Sequence, residues 1–170
     1  MSEHDEQATF FEWVRLNRTA APSLEVRKAL SRCYAVPNGA AMKESQRRRM
    51  SREGMENGIP DVNLDCPTCP RWMFGSHQLD VDLESFWSGC LSGLRIEHKY
   101  RKSISAKIQN KIDRGDYLVD LSPKQKEKRE LLIDAGYKVV VSYSAAQSIR
   151  AVFEYLPFEV NDYQGIKEFL

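Results

Sequence analysis

Residues 3–16 carry a helical stripe: Glu3, Gln7, Phe10 and Val14 fall on one face at a 4-3-4 spacing, the signature of an amphipathic helix. Ala20-Ala21-Pro22-Ser23 interrupts it, and Ser23 is placed to cap a second short helix over residues 24–33. Cys33 is then expected as a buried residue of that helix. Val36-Pro37-Asn38-Gly39 is a turn signal, and a strongly basic helix is predicted over residues 41–52, ending near Gly54 and Gly58. Residues 59–64 read as a strand. In Leu94-Arg95-Ile96-Glu97-His98-Lys99 the side chains alternate at the strand period. Leu94, Ile96 and His98 take one face; Arg95, Glu97 and Lys99 take the other.

Further along, residues 104–114 look helical. Ser122-Pro123-Lys124-Gln125 is a helix start: serine at the cap, proline at the first helical position, glutamine where a capping box closes. That helix is expected to stop at Gly136. Residues 138–142 form a valine-rich strand, and residues 144–156 a final amphipathic helix with Ser144 and Gln147 as a second capping box. Helices, strand, strand, helix, strand, helix is an α/β order, a mixed sheet flanked by helices. The 170 residues are read as one domain, with an irregular cysteine-containing insertion at about residues 65–93.

Composition narrows the class. No apolar run approaches the length of a membrane span. The acidic start, Met1-Ser2-Glu3-His4-Asp5-Glu6, lacks the basic and apolar regions of a secretory signal, so a cytoplasmic protein without a membrane partner is expected. Four cysteines give no obvious disulfide framework at this size. The net charge of +1 hides segregation. One basic group is Lys43, Arg47, Arg48, Arg49 and Arg52; a second runs through Arg95, Lys99, Arg101, Lys102 and Lys107; a third is Lys124, Lys126, Lys128 and Arg129. Acids gather near residues 3–12, around 80–84 and toward the C-terminus. Such patches are either solvated helix faces or a site that holds both a metal and a polyanion. The Lys43–Arg52 group, just before the strand that carries Asp61, is the best placed to meet backbone phosphates.

An acid and a lysine two residues apart on one strand face, with a second carboxylate from Asp61, can hold a divalent metal and a polarised water together. Alone, Asp61 would serve as a turn cap, and Glu97 with Lys99 as an inert ion pair. Taken together the carboxylates are hard oxygen donors suited to Mg²⁺ or Mn²⁺, and Lys99 can orient the water and the phosphate. Glu3 stands on the apolar stripe near the helix end and is the expected third acid; Glu6, offset by about 60°, is the second choice. Both also read as helix N-terminal acids. Gln125 is either a capping residue or a support for the site. Cys66-Pro67-Thr68-Cys69, with His77 and Cys90, forms a candidate structural zinc set, against which stands a pair of reduced thiols in a proline-rich turn. Trp72, Phe74, Phe86 and Trp87 are expected to pack a small satellite core, the alternative being that they stack on DNA bases.

These motifs, in this order, resemble the VRR-NUC family, the virus-type replication-repair nuclease branch of the PD-(D/E)xK superfamily. Glu3-His4-Asp5-Glu6-Gln7 resembles its opening helix motif, and Tyr34-Ala35-Val36-Pro37-Asn38-Gly39 its proline-asparagine-glycine turn. Residues 54–61, Gly-Met-Glu-Asn-Gly-Ile-Pro-Asp, are similar to its glycine-proline-aspartate element. Glu97-His98-Lys99 matches its acid-x-lysine strand, Ser122-Pro123-Lys124-Gln125 the start of its next helix, and Gly136-Tyr137-Lys138-Val139-Val140-Val141 its last core strand. The long segment between Asp61 and Glu97 departs from that pattern.

The resemblance implies a restriction-endonuclease-like core and a structure-selective DNA endonuclease requiring Mg²⁺ or Mn²⁺. It implies Asp61, Glu97 and Glu3 as metal ligands, Lys99 as base or phosphate partner, and Gln125 as a supporting group. It also implies branched DNA such as a Holliday junction as substrate, a homodimer, and a bacterial or bacteriophage setting, the host cytoplasm in the latter case. The competing expectations are a catalytically silent DNA-binding or zinc-binding adaptor on the same scaffold and a phage-encoded restriction-type nuclease that cuts simple duplex.

Overall fold

Helix α1 (Glu3–Ala20) turns Phe10, Trp13, Val14 and Asn17 inward, leaving Phe10, Val14 and Asn17 with no exposed surface. That i, i+3, i+4, i+7 row is the stripe a core-facing helix requires. The computed structural model describes residues 3–36, 45, 48, 59–68, 90–99 and 121–170. The expected helix over 104–114 and most of the 65–93 insertion, with Trp72, Phe74, Phe86 and Trp87, lie outside the described residues. Of the basic segment over 41–52, Ser45 and Arg48 are described, both helical and exposed.

Helix α2 (Leu24–Leu30) begins at Ser23, whose hydroxyl accepts the N–H of Val26. Four strands follow: β1 (Cys33–Ala35), β2 (Val62–Leu64), β3 (Gly93–His98) and β4 (Tyr137–Ser142). They form one mixed sheet in the order β1-β2-β3-β4. The first two neighbouring pairs are antiparallel, in registers Tyr34↔Asn63 and Asn63↔Arg95. The β3–β4 pair is parallel, with Glu97 beside Val141. Parallel neighbours need a crossover, and here it contains helix α3 (Pro123–Asp134). Helix α4 (Ala145–Tyr155) follows β4. Among the described residues no helix is long and apolar enough to cross a membrane.

The predicted strand parity holds. Leu94 and Ile96 join Phe10, Val14, Ile149, Val152 and Tyr155 in one core between the sheet and helices α1 and α4. Each large apolar side chain so buried contributes roughly 1.5–3 kcal/mol. Asn17 is polar but fully satisfied: its amide donates to the Trp13 and Gln164 carbonyls at 3.1 Å each, and its oxygen accepts the Gln164 N–H at 2.8 Å. It ties α1 to the C-terminal segment.

Sequence boundaries erred where the chain switches element within a few residues. Cys33 belongs to β1 and not to the second helix, which ends at Leu30. A three-residue strand is too short to impose its own periodicity on the pattern. The final helix is capped by Ser144 as expected, its hydroxyl accepting the Gln147 N–H at 3.2 Å, but the Gln147 side chain reaches one residue further back, to the Tyr143 N–H at 2.7 Å. Gly136 ends α3 at φ 82°, a left-handed conformation that glycine adopts without strain.

Gly93 opens β3 for a different reason. A Cβ there would lie 2.8 Å from the Leu64 carbonyl oxygen, with the Arg95 and Tyr137 side chains at 3.1 Å. The backbone oxygen belongs to the paired strand and cannot yield. We expect Gly93→Ala to destabilise the protein by about 1–3 kcal/mol, measured by urea unfolding; an unchanged midpoint would show that the strands can separate locally. Burial pushes the Cys33 thiol up to about 12. Its folded form therefore keeps its proton at pH values where the unfolded thiol, near 9, has lost it. The resulting stability is full below pH 9 and is lost as pH rises toward 12. In native protein at about pH 8, below the ordinary thiol range, a thiol reagent should count the same number of reactive groups before and after Cys33→Ser; a decrease would contradict this burial.

Candidate active site

The Ser122 turn places Gln125 on the sheet. Ser122 Oγ accepts the Gln125 N–H at 3.3 Å, and Gln125 Oε1 accepts the Ser122 N–H at 2.9 Å, closing the capping box. The same amide also faces β3. Its Oε1 accepts from Lys99 Nζ at 3.2 Å, and its Nε2 donates to Glu97 Oε1. Both Ser122 N–H and Lys99 are donors and Glu97 is an acceptor, so the partners fix the orientation of the amide. Lys99 Nζ lies 3.2 Å from the same Glu97 oxygen. The one side chain thus closes the capping box and also bonds Glu97 and Lys99.

Glu97 is buried, its side chain 8% exposed, and Lys99 is 18% exposed. A carboxylate removed from water needs charge-assisted partners, and the lysine and the amide provide them. Asp61 approaches from the other side. Pro60 has no N–H for the ladder, and Asp61 Oδ2 takes the His98 N–H at 2.8 Å. The Asp61 carboxylate is thereby pinned to the peptide group that follows Glu97. Continuing the Val62↔Ile96 register by one step also sets Asp61 across from Glu97, where side chains on adjacent strands are neighbours.

Pro60, Leu121, Gln125, Arg129, Val139 and Val141 enclose a small cavity over Glu97. In the sequence Arg129 stood out only as one member of a basic group. The further signal was its position one turn beyond Gln125 on the same helix. On the opposite face of β3, His98 is buried beside Phe10, with ring centroids 6.1 Å apart, and its Nε2 lies 3.4 Å from Ser148 Oγ. Burial lowers the imidazole pKa, partly offset by Asp61 and Glu6. Glu6 is engaged elsewhere. Its carboxylate accepts the Ala145 N–H at 2.8 Å at the start of α4, where a negative charge meets the positive end of the helix.

Glu3 opens α1, and its side chain is outside the described residues, as are Lys43, Arg47, Arg49, Arg52, Cys69, His77, Arg101 and Lys102. Lys124 is exposed in the first turn of α3. Cys66 is a free thiol, and Cys90 is disulfide-bonded; a zinc set that includes Cys90 requires its reduced form. Among the described residues no three His, Cys, Asp or Glu side chains converge as a metal cluster. The donor set of Asp61 and Glu97 has the hard-oxygen chemistry that suits Mg²⁺ or Mn²⁺.

No protein-family model matches the sequence, and no curated protein matches it. In three dimensions the chain is similar to a "VRR_NUC domain protein", with a TM-score of 0.57 and 19% sequence identity over 92% of this chain and 88% of that one. The two share a fold: a mixed sheet flanked by helices.

The Gln125 clasp gives a test by charge. Gln125→Glu keeps an acceptor for the Ser122 N–H but sets a second carboxylate against Glu97. One of the two must then hold a proton, so its folded pKa rises above the unfolded value and stability falls as pH increases. In EDTA, the variant's urea midpoint should drop between about pH 5 and about pH 7.5 relative to wild type. Parallel profiles would mean that the amide does not face Glu97. Gln125→Ala, which removes cap and clasp together, should cost about 1–2 kcal/mol.

Proposed function

We propose that this chain, sharing its fold with a VRR_NUC domain protein, is a DNA endonuclease that requires Mg²⁺ or Mn²⁺ and hydrolyses phosphodiester bonds in branched DNA. The observation that carries this reading is the joint placement of Glu97, Lys99 and Gln125 around one carboxylate oxygen, with Asp61 bonded to the next peptide N–H.

In this reading Asp61 and Glu97 are the metal ligands, and Glu3 is a further acid at the start of α1. When bound, the metal makes a coordinated water more acidic and offsets charge on the scissile phosphate. Lys99, held by Glu97 and Gln125, orients the attacking water and stabilises negative charge that develops on the phosphate. Gln125 keeps the lysine and the carboxylate in register with helix α3. Lys43, Arg47, Arg48, Arg49, Arg52, Arg101, Lys102 and Lys124 neutralise backbone phosphates. A homodimer with two-fold symmetry suits paired nicks in a four-way junction. A structural zinc belongs to the proposal only with Cys90 reduced, since that cysteine is disulfide-bonded in the structure; its ligands would be Cys66, Cys69, His77 and Cys90.

Linear duplex, flap, splayed-arm and four-way substrates incubated with Mg²⁺, Mn²⁺ or EDTA test the reading. Metal-dependent nicking of the branched substrates is expected, lowered about 100-fold or more in Glu97→Ala and Lys99→Ala while circular dichroism stays native. Cleavage undiminished in both variants overturns the site; no cleavage of any substrate favours a silent DNA-binding adaptor.

A further inference from the structure

A groove of about 510 Å³ runs between α1 and the outer edge of β1, lined by His4, Gln7, Phe11, Arg15, Arg18 and Tyr34 among others. Its volume falls within the roughly 300–1,000 Å³ of small-ligand pockets. The lining holds two arginines and a histidine, and the Asp65 carboxylate stands at the Tyr34 hydroxyl. Arg18 is committed to the wall: its guanidinium donates to the Leu30 carbonyl at 2.9 Å and to the Cys33 carbonyl. Arg15 is exposed and able to reach a ligand. Tyr34 is 45% exposed, with its hydroxyl held by Asp65 Oδ2 at 2.7 Å, so its ring is presented in one place. One end of the groove lies close to the backbone of Asp61. Ala35 lines its end, and the next residue, Val36, donates its N–H to the Asp61 carbonyl at 2.8 Å.

We propose that this groove binds one unpaired nucleotide of the DNA strand leaving Asp61, its base against Phe11 and Tyr34 and its phosphate toward Arg15. Aromatic faces accept any base by stacking, and the arginine supplies the phosphate contact, the combination used by sequence-tolerant single-strand sites. Gln7, half-buried beside them, offers an amide to the base edge. The inference rests on the endonuclease reading and deepens it: a groove for an unpaired nucleotide next to the cut accounts for a preference for branched substrates, whose strands part at the junction.

Fluorescence anisotropy of 5′-fluorescein-labelled hexathymidylate with the full chain in EDTA tests the groove without cleavage. Wild type should bind. Arg15→Glu and Tyr34→Ala should each weaken binding by about fivefold or more, the lower bound for loss of one base stack. Lys167→Glu, on the exposed C-terminal segment, should bind as wild type does. Equal affinity in wild type and Arg15→Glu, or no binding by wild type, overturns the proposal; so does an equal loss in Lys167→Glu, which would mark a diffuse charge effect. Arg15 is an exposed helix residue, so its variant decides the matter even if Tyr34→Ala does not fold. Hexathymidylate binding that depends on the groove, in a chain that cuts nothing, would refute the endonuclease reading alone. Cleavage with no groove dependence would refute only the groove.

Discussion

A carboxylate taken out of water must be given partners, and Glu97 is the point in this structure where that demand falls. Two of its partners come from different parts of the chain. Lys99 lies two residues further on, just past the end of β3, while Gln125 arrives from a helix that follows a long connection. The second is the more consequential, because none of the residues of α3 is fully buried. That helix is not anchored by a driven-in apolar stripe; Leu131 and Ile133 on it are 57% and 41% exposed. Its N-terminal turn is instead set by one amide with two ends, the oxygen accepting from the helix cap and from Lys99, the nitrogen donating to Glu97. Local capping and tertiary placement are therefore the same set of bonds, and the geometry of the polar cluster is fixed by the geometry of a helix start.

This explains why so much of the cluster was legible in the sequence. A capping box and an alternating strand are short-range patterns, and both have strict registers. Ser122 to Gln125 could sit in few other ways, and the alternation from Leu94 to Lys99 put Glu97 and Lys99 on one face whatever the rest of the chain did. What was not legible is the part fixed by long-range contact. Nothing local tells that Glu6 caps α4 from a distance of 139 residues, or that Asp61 takes the His98 N–H. The three-residue β1 was missed because its pairing with β2, and not its own composition, makes it a strand. Cys33 was expected in a helix for that reason.

Asp61 illustrates how a break in regular structure brings two carboxylates together. Pro60 cannot donate to a ladder, so pairing between β2 and β3 stops at Val62. The N–H of His98 still requires an acceptor. A carboxylate one residue after the proline meets that requirement and is brought beside Glu97 in doing so. The backbone's unmet bond, and not attraction between two acids, draws the carboxylates together; like charges would otherwise keep them apart.

Strand β3 then has to satisfy two environments at once. Leu94 and Ile96 join the apolar core, and His98 continues that face into a polar pocket with Ser148, where burial favours the neutral imidazole. Arg95 and Glu97 occupy the other face, Arg95 held by Asp65 at 2.7 Å and stacked over Tyr137 at 4.1 Å. Every position of the strand is buried, so neither face has water to absorb a misplaced charge. A one-residue slip would drive Arg95 and Glu97 into the core and strand Leu94 and Ile96 among polar groups. The charged residues thus act as register marks: the partners that hold Arg95 and Glu97 on one face of the strand are the ones that make the alternative pairing unfavourable.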